Sequence, residues 1–143
     1  LLLIYDSNKD NVLDRVRVYC DKVSSCQGIL ALNGDVLVIG EGPQGAALYR
    51  LSDDDRNGKL ERVEAIVKFS GQVGEHGPHG LALGPDGLIY VMLGNQTSVD
   101  QEFSATSPHQ HYYEGDLVGP RYEDPGGYAV GVAHFDQRFD QVE

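Results

Sequence analysis

The chain contains no tryptophan, one methionine and only two cysteines. It has neither a CxxC redox pair nor a CxxCH haem-attachment motif. Cys20 and Cys26 lie in "CDKVSSC". That spacing suits a short-loop disulfide in an oxidising compartment, or equally two unpaired thiols. Cations are scarce: 11 Lys and Arg face 22 Asp and Glu, for a net charge of −11. Such a balance opposes nucleic-acid binding, which needs basic side chains to neutralise phosphates. It does not oppose cation binding. No apolar run reaches the roughly 18 residues of a membrane-spanning helix, and no signal-peptide pattern occurs. The sequence opens in "LLLIY" rather than Met and stops in "HFDQRFDQVE". It reads as a piece of a longer protein.

Glycine is abundant, with 18 residues, and 41% of the chain is hydrophobic in short runs. Short apolar runs separated by turn residues predict strands rather than helices. Two internal repeats organise them. In "YDSNKDNVLDRVRVY" and "LSDDDRNGKLERVEAIVKF", Asp6, Asn8, Asp10, Asn11 and Asp14 match Asp53, Asp55, Asn57, Gly58 and Glu61 at a constant offset of 47. "GILALNGDVLVIG" and "GLALGPDGLIYVMLG" repeat a second pattern: apolar run, Asn-Gly or Pro-Asp-Gly turn, apolar run. Such turns are strong hairpin signals. The complete unit predicts four strands, near 28–32, 36–40, 46–51 and 60–69, with 41–45 as the loop between the second and third.

A four-stranded repeat of about 40–50 residues is the period of a β-propeller blade. The predicted fold class is therefore all-β, with about two blades of a propeller. Residues 1–20 end one blade, 28–69 form a complete one, and 79–94 begin the next. Residues 95–143 read as a long loop or insertion leading to a further strand at "YAVGVAHF".

The acidic turns carry the first candidate chemistry. Asp6, Asn8, Asp10 and Asp14, and likewise Asp53, Asp55, Asn57 and Glu61, occupy positions 1, 3, 5 and 9 of their loops. This is the opening of the D-x-[DN]-x-[DN]-G calcium pattern. Ca²⁺ takes six to eight oxygens, and alternate residues of a curled loop aim theirs inward. Position 12 is Arg17 in the first loop and Glu64 in the second. No flanking helix is predicted, so a calcium-stapled β-turn fits better than an EF-hand. A metal-free turn rich in Asp and Asn is the other reading. Loop 53–61 is the stronger candidate, because Asn11 replaces glycine in the first.

The second candidate is "GEHGPHG", with His76 and His79. Two histidines supply only part of a zinc set, which His109 and His111 would have to complete. A histidine at a strand entrance also serves as a general base. A third reading makes both of them hydrogen-bonded loop residues.

"HGPHGLALGPDGLIYVMLGNQ" resembles the catalytic blade of the soluble aldose dehydrogenases that use pyrroloquinoline quinone (PQQ), which are six-bladed propellers. In that register His76 falls on the family's catalytic base. Asn95 takes the place of the Asp that orients it. A longer ordered set is similar to the large membrane-bound-dehydrogenase propellers of planctomycete-type bacteria: the acidic turn 53–61, "EHGPH" at 75–79, "GPDG" at 84–87, and "EGD…PR…DPGG" across 114–127. The resemblance implies oxidation of a sugar or alcohol, with His76 taking the proton and PQQ the hydride. It also implies structural calcium, a c-type cytochrome as electron acceptor and a periplasmic or other extracytoplasmic location. Arg121 offers an anion contact, or a surface salt bridge. Two alternatives stand beside it. One is a calcium-dependent, lactonase-like hydrolase using Glu75, Asn95 and Glu114. The other is a non-catalytic, calcium-stabilised propeller that binds protein or glycan.

Overall fold

The computed structural model describes residues 1–71, 73–94, 97–99 and 131–135. The described residues are all-β. β1 (Leu2–Tyr5) and β2 (Arg15–Val18) form an antiparallel hairpin. β3 (Ser24–Leu32), β4 (Asp35–Gly42), β5 (Gly45–Ser52) and β6 (Arg62–Gly71) form an antiparallel meander. β7 (Pro78–Leu83) and β8 (Ile89–Leu93) form a second hairpin. The short β9 (Thr97–Val99) returns to pair with the end of β6, and β10 (Gly131–Phe135) pairs with β8.

The four strands predicted for the complete unit are all present, the first three with longer bounds and the fourth displaced by two residues. The expected loop 41–45 is a two-residue turn, because β4 and β5 stay paired out to Gly42 and Gly45. The turn between β3 and β4 has Asn33 at φ 54° and Gly34 at φ 90°. Two positive φ values make the hairpin turn whose twist matches its strands.

β4 is buried without interruption from Val36 to Gly40. A strand buried on both faces loses the usual alternation of apolar and polar residues. Leu37 and Ile39 join Leu48, Val67 and Phe69 against Ile89, Val91 and Leu93 of β8. Val36 and Val38 face the opposite way, with Tyr49 and Leu51, against Cys20, Val23 and Leu60. The central meander is thus covered on both sides.

β6 serves both cores through one irregularity. Val63 and Ala65 pack on the Tyr49 side, whereas Val67 and Phe69 pack on the β8 side. Residues two apart normally share a face. The pairing passes from Tyr49↔Ala65 to Leu48↔Val67, leaving Ile66 as an extra residue. A bulge of this kind shifts parity by one and sends the rest of the strand to the other face.

Candidate metal centre

The two acidic loops close their hairpins with the same local architecture. Loop 6–14 joins β1 to β2, and loop 53–61 joins β5 to β6. Lys9 and Asn11 have φ of 63° and 70°, and their counterparts Arg56 and Gly58 have 59° and 82°. The first aspartate of each loop accepts the amide of the sixth residue at 2.7 Å: Asn11 to Asp6, and Gly58 to Asp53. The third residue accepts from the fifth, Asp10 to Asn8 at 3.1 Å and Asn57 to Asp55 at 3.0 Å. The fifth accepts from the seventh at 2.8 Å in both, Val12 to Asp10 and Lys59 to Asn57.

They part at the ninth position. In the first loop Ser7 donates its amide and its hydroxyl to the two Asp14 oxygens, at 2.8 and 2.7 Å. The residue equivalent to Ser7 is Asp54, which accepts the Ser52 hydroxyl instead. Glu61 is therefore not captured as Asp14 is. Its Oε2 is shut off from solvent and has no hydrogen-bond partner. Asp53, Asp55 and Glu61 bring carboxylate oxygens within 4.8 Å of one another. Among the described residues this is the one such trio. Asp6, Asn8, Asp10 and Asp14 do not form a second.

Hydrogen bonding also sets the charge of these loops. The Ser7 amide holds Asp14 below the ordinary carboxylate range, and the Asn57 amide does the same for Asp55. Donors aimed at an ionised carboxylate favour that form. The negative charge of Asp14 and of Asp55 therefore persists into mild acid.

Loop 53–61 lies against the first hairpin and the chain that follows it. The Leu60 amide donates to the Tyr19 carbonyl at 2.8 Å. Lys22 Nζ donates to the Glu61 carbonyl at 2.5 Å. The Arg17 guanidinium sits 5.6 and 5.7 Å from the ring centres of Tyr5 and Tyr19. It also covers Gly58, where an added Cβ would lie 2.5 Å from a guanidinium nitrogen.

A family model described as "Domain of unknown function (DUF7133)" matches residues 1–118. The chain belongs to the DUF7133 family. No curated protein matches it, and no solved structure does.

The histidine lead-in of this DUF7133 chain is built differently from its acidic loops. His79 is half-buried, and its Nε2 lies 2.8 Å from the Glu75 carbonyl. His76 is exposed. Its backbone runs tightly against Gly94, whose amide donates to the Gly77 carbonyl at 2.8 Å. Neither histidine belongs to a metal-binding trio among the described residues. Asn95, His109, His111, Glu114 and Arg121 lie outside the described residues. Cys20 and Cys26 are free thiols, the first buried and the second exposed.

Composition alone did not single out Ser7, Arg17 and Lys22. The Ser7-for-Asp54 difference was visible in the aligned repeat. The contacts of Arg17 and Lys22 with loop 53–61 depend on how the first hairpin docks.

Proposed function

We propose that the chain is part of a calcium-stapled β-propeller, six-bladed by resemblance, in which loop 53–61 binds Ca²⁺ through Asp53, Asp55 and Glu61. The observation that carries this reading is the buried, partnerless Oε2 of Glu61 beside the Asp53 and Asp55 carboxylates. A buried carboxylate oxygen without a donor is costly, and a coordinated cation removes that cost.

The propeller reading draws on the doubly covered meander and on the repeat. Leu2, Ile4, Val16 and Val18 pair across one face of the first hairpin and are 53–62% exposed. Their counterparts at the repeat offset are Tyr49, Leu51, Val63 and Ala65, which all contribute to one core. The exposed face thus has the composition of one that takes a neighbouring unit.

Calcium titration with a thermal-unfolding readout tests the staple. At a hundredfold excess over Kd, a single site adds about 2.7 kcal/mol. For a domain of this size that is on the order of 5–10 °C. Wild type should show this shift, and Glu61→Gln should lose most of it. Equal shifts in the two proteins would refute the site.

A second reading makes the propeller an oxidoreductase acting on a sugar or alcohol, with His76 as general base. It draws on the family register and on the exposed position of His76 just ahead of β7. An exposed imidazole at a strand entrance is placed to take a hydroxyl proton. PQQ is anionic, and no Lys or Arg occurs from Phe69 to Pro120. The residues around His76 therefore do not fit that group by themselves, and no step is routed through it. A c-type cytochrome acceptor and an extracytoplasmic location belong to this reading too. Its test is dye reduction on a sugar and alcohol panel after addition of PQQ and Ca²⁺. Activity in wild type and none in His76→Ala supports it. Without dye reduction or any change in the PQQ spectrum it fails.

A further inference from the structure

The contacts around loop 53–61 bear on more than the loop itself. Three separate links join it to the first hairpin and the chain just beyond, and all leave from its last four residues. Gly58 receives the Arg17 guanidinium, the Leu60 amide reaches Tyr19, and the Glu61 carbonyl receives Lys22. Leu60 is also buried in the core that contains Cys20, with Leu1 and Tyr19 packed against it. Glu61 therefore faces two ways. Its carboxylate belongs to the acidic trio, and its backbone is held by the segment after β2.

We propose that cation binding at Asp53, Asp55 and Glu61 latches the β1–β2 hairpin onto the central meander, so that loop occupancy and hairpin docking are one coupled equilibrium. The proposal rests on the calcium reading above and adds a partner element to it. Without a cation, three carboxylates within 4.8 Å repel one another and favour an opened loop. Opening moves Gly58, Leu60 and Glu61, and with them all three links. A bound cation holds the closed loop and keeps those groups aligned on Tyr19, Arg17 and Lys22. Linkage makes the effect reciprocal: a docked hairpin must raise the affinity of the loop by the same factor.

One substitution separates docking from binding. Gly58 has φ 82°, and its counterpart Asn11 has φ 70°. Asparagine tolerates this left-handed region better than most residues. Gly58→Asn should thus keep the loop conformation, while its Cβ displaces the Arg17 guanidinium. Glu61→Gln does the converse. It weakens the cation site without removing any protein hydrogen bond made by Oε2.

The experiment is hydrogen exchange on the full chain, with calcium chloride or magnesium chloride, followed in peptides covering 1–20 and 53–61. Calorimetry on the same samples reports whether Ca²⁺ binds. Coupling of the usual size corresponds to about 5- to 150-fold slower exchange. In wild type, Ca²⁺ should slow both segments. Glu61→Gln should slow neither, and Gly58→Asn should slow 53–61 alone. Ca²⁺ binding that slows only 53–61 in wild type overturns the latch and leaves the calcium site standing. Slowing of 1–20 that persists in Glu61→Gln also overturns the latch, because the hairpin's own loop 6–14 would then be the site. No heat of binding and no slowing anywhere overturns the calcium reading, and the latch with it.

Discussion

Replacing Gly94 with alanine is expected to destabilise the second hairpin more than any other single methyl added to it. A Cβ at Gly94 would lie 2.3 Å from the His76 carbonyl oxygen and 2.5 Å from that of Gly77. Both are backbone atoms, so no side-chain rotation relieves the overlap. Forcing atoms into a filled space costs about 1–3 kcal/mol. Loss of the Gly94–Gly77 hydrogen bond adds about 1 kcal/mol. The control is Gly80→Ala in the same sheet, where the new methyl would meet Met92 at an ordinary 3.6 Å. Urea denaturation should place Gly94→Ala well below wild type and Gly80→Ala close to it. Equal midpoints for the two variants would mean that the lead-in does not depend on this close approach. The His76 resonances should move in the Gly94 variant only, since His76 is what the methyl pushes.

Tyr49→Ala is the second large effect, at about 3–5 kcal/mol for removing a buried aromatic side chain. Tyr49 is fully buried in the core that the meander shares with Cys20, Val23 and Leu60. Its ring packs on Gly42, where a Cβ would come within 2.6 Å of it. Its hydroxyl accepts the Gln44 amide at 2.9 Å and donates to the Gly45 carbonyl at 2.8 Å. The side chain thus fills the core and closes the β4–β5 turn at once. Tyr49→Phe separates the two roles. It keeps the ring and strands two backbone groups, for about 1–2 kcal/mol. A Phe variant as unstable as the Ala variant would place the stability in the turn rather than in the core.

The tight hairpins were legible because their signals are local. Asn33-Gly34 and Pro85-Asp86-Gly87 dictate turns whatever surrounds them, and the apolar runs beside them had to be strands. The extra length of β4 and β5 was less visible, because "EGPQG" has loop composition. Its pairing depends on the Tyr49 hydroxyl, which lies outside that stretch. The bulge at Ile66 left no mark either, since Val63, Ala65, Val67 and Phe69 recur at the regular two-residue spacing of one strand. At the acidic loops the spacing read correctly as two copies of one backbone. It favoured loop 53–61 on Gly58 alone, whereas the partnerless Oε2 of Glu61 depends also on the side chain at the second position. The Ser7 hydroxyl donates to Asp14, whereas the Asp54 carboxylate can only accept. The histidine pair was legible as a lead-in to a hairpin. The separation of His79 from His76 came from a backbone carbonyl, which no side-chain motif encodes.

The pairing of β9 with β6 has a consequence for how such a chain can be inherited. The polypeptide completes the β7–β8 hairpin, then steps back to lay Thr97–Val99 along Phe69–Gly71, and later adds β10 beside β8. Strand exchange of this kind laces successive units together. A recombination event that cut between the sequence repeats, near residue 72, would separate β6 from the strand that covers its end. Duplication or loss of a unit would preserve these contacts only if the breakpoint fell beyond β9. The module that evolution can copy here is therefore displaced from the module that the sequence repeat outlines.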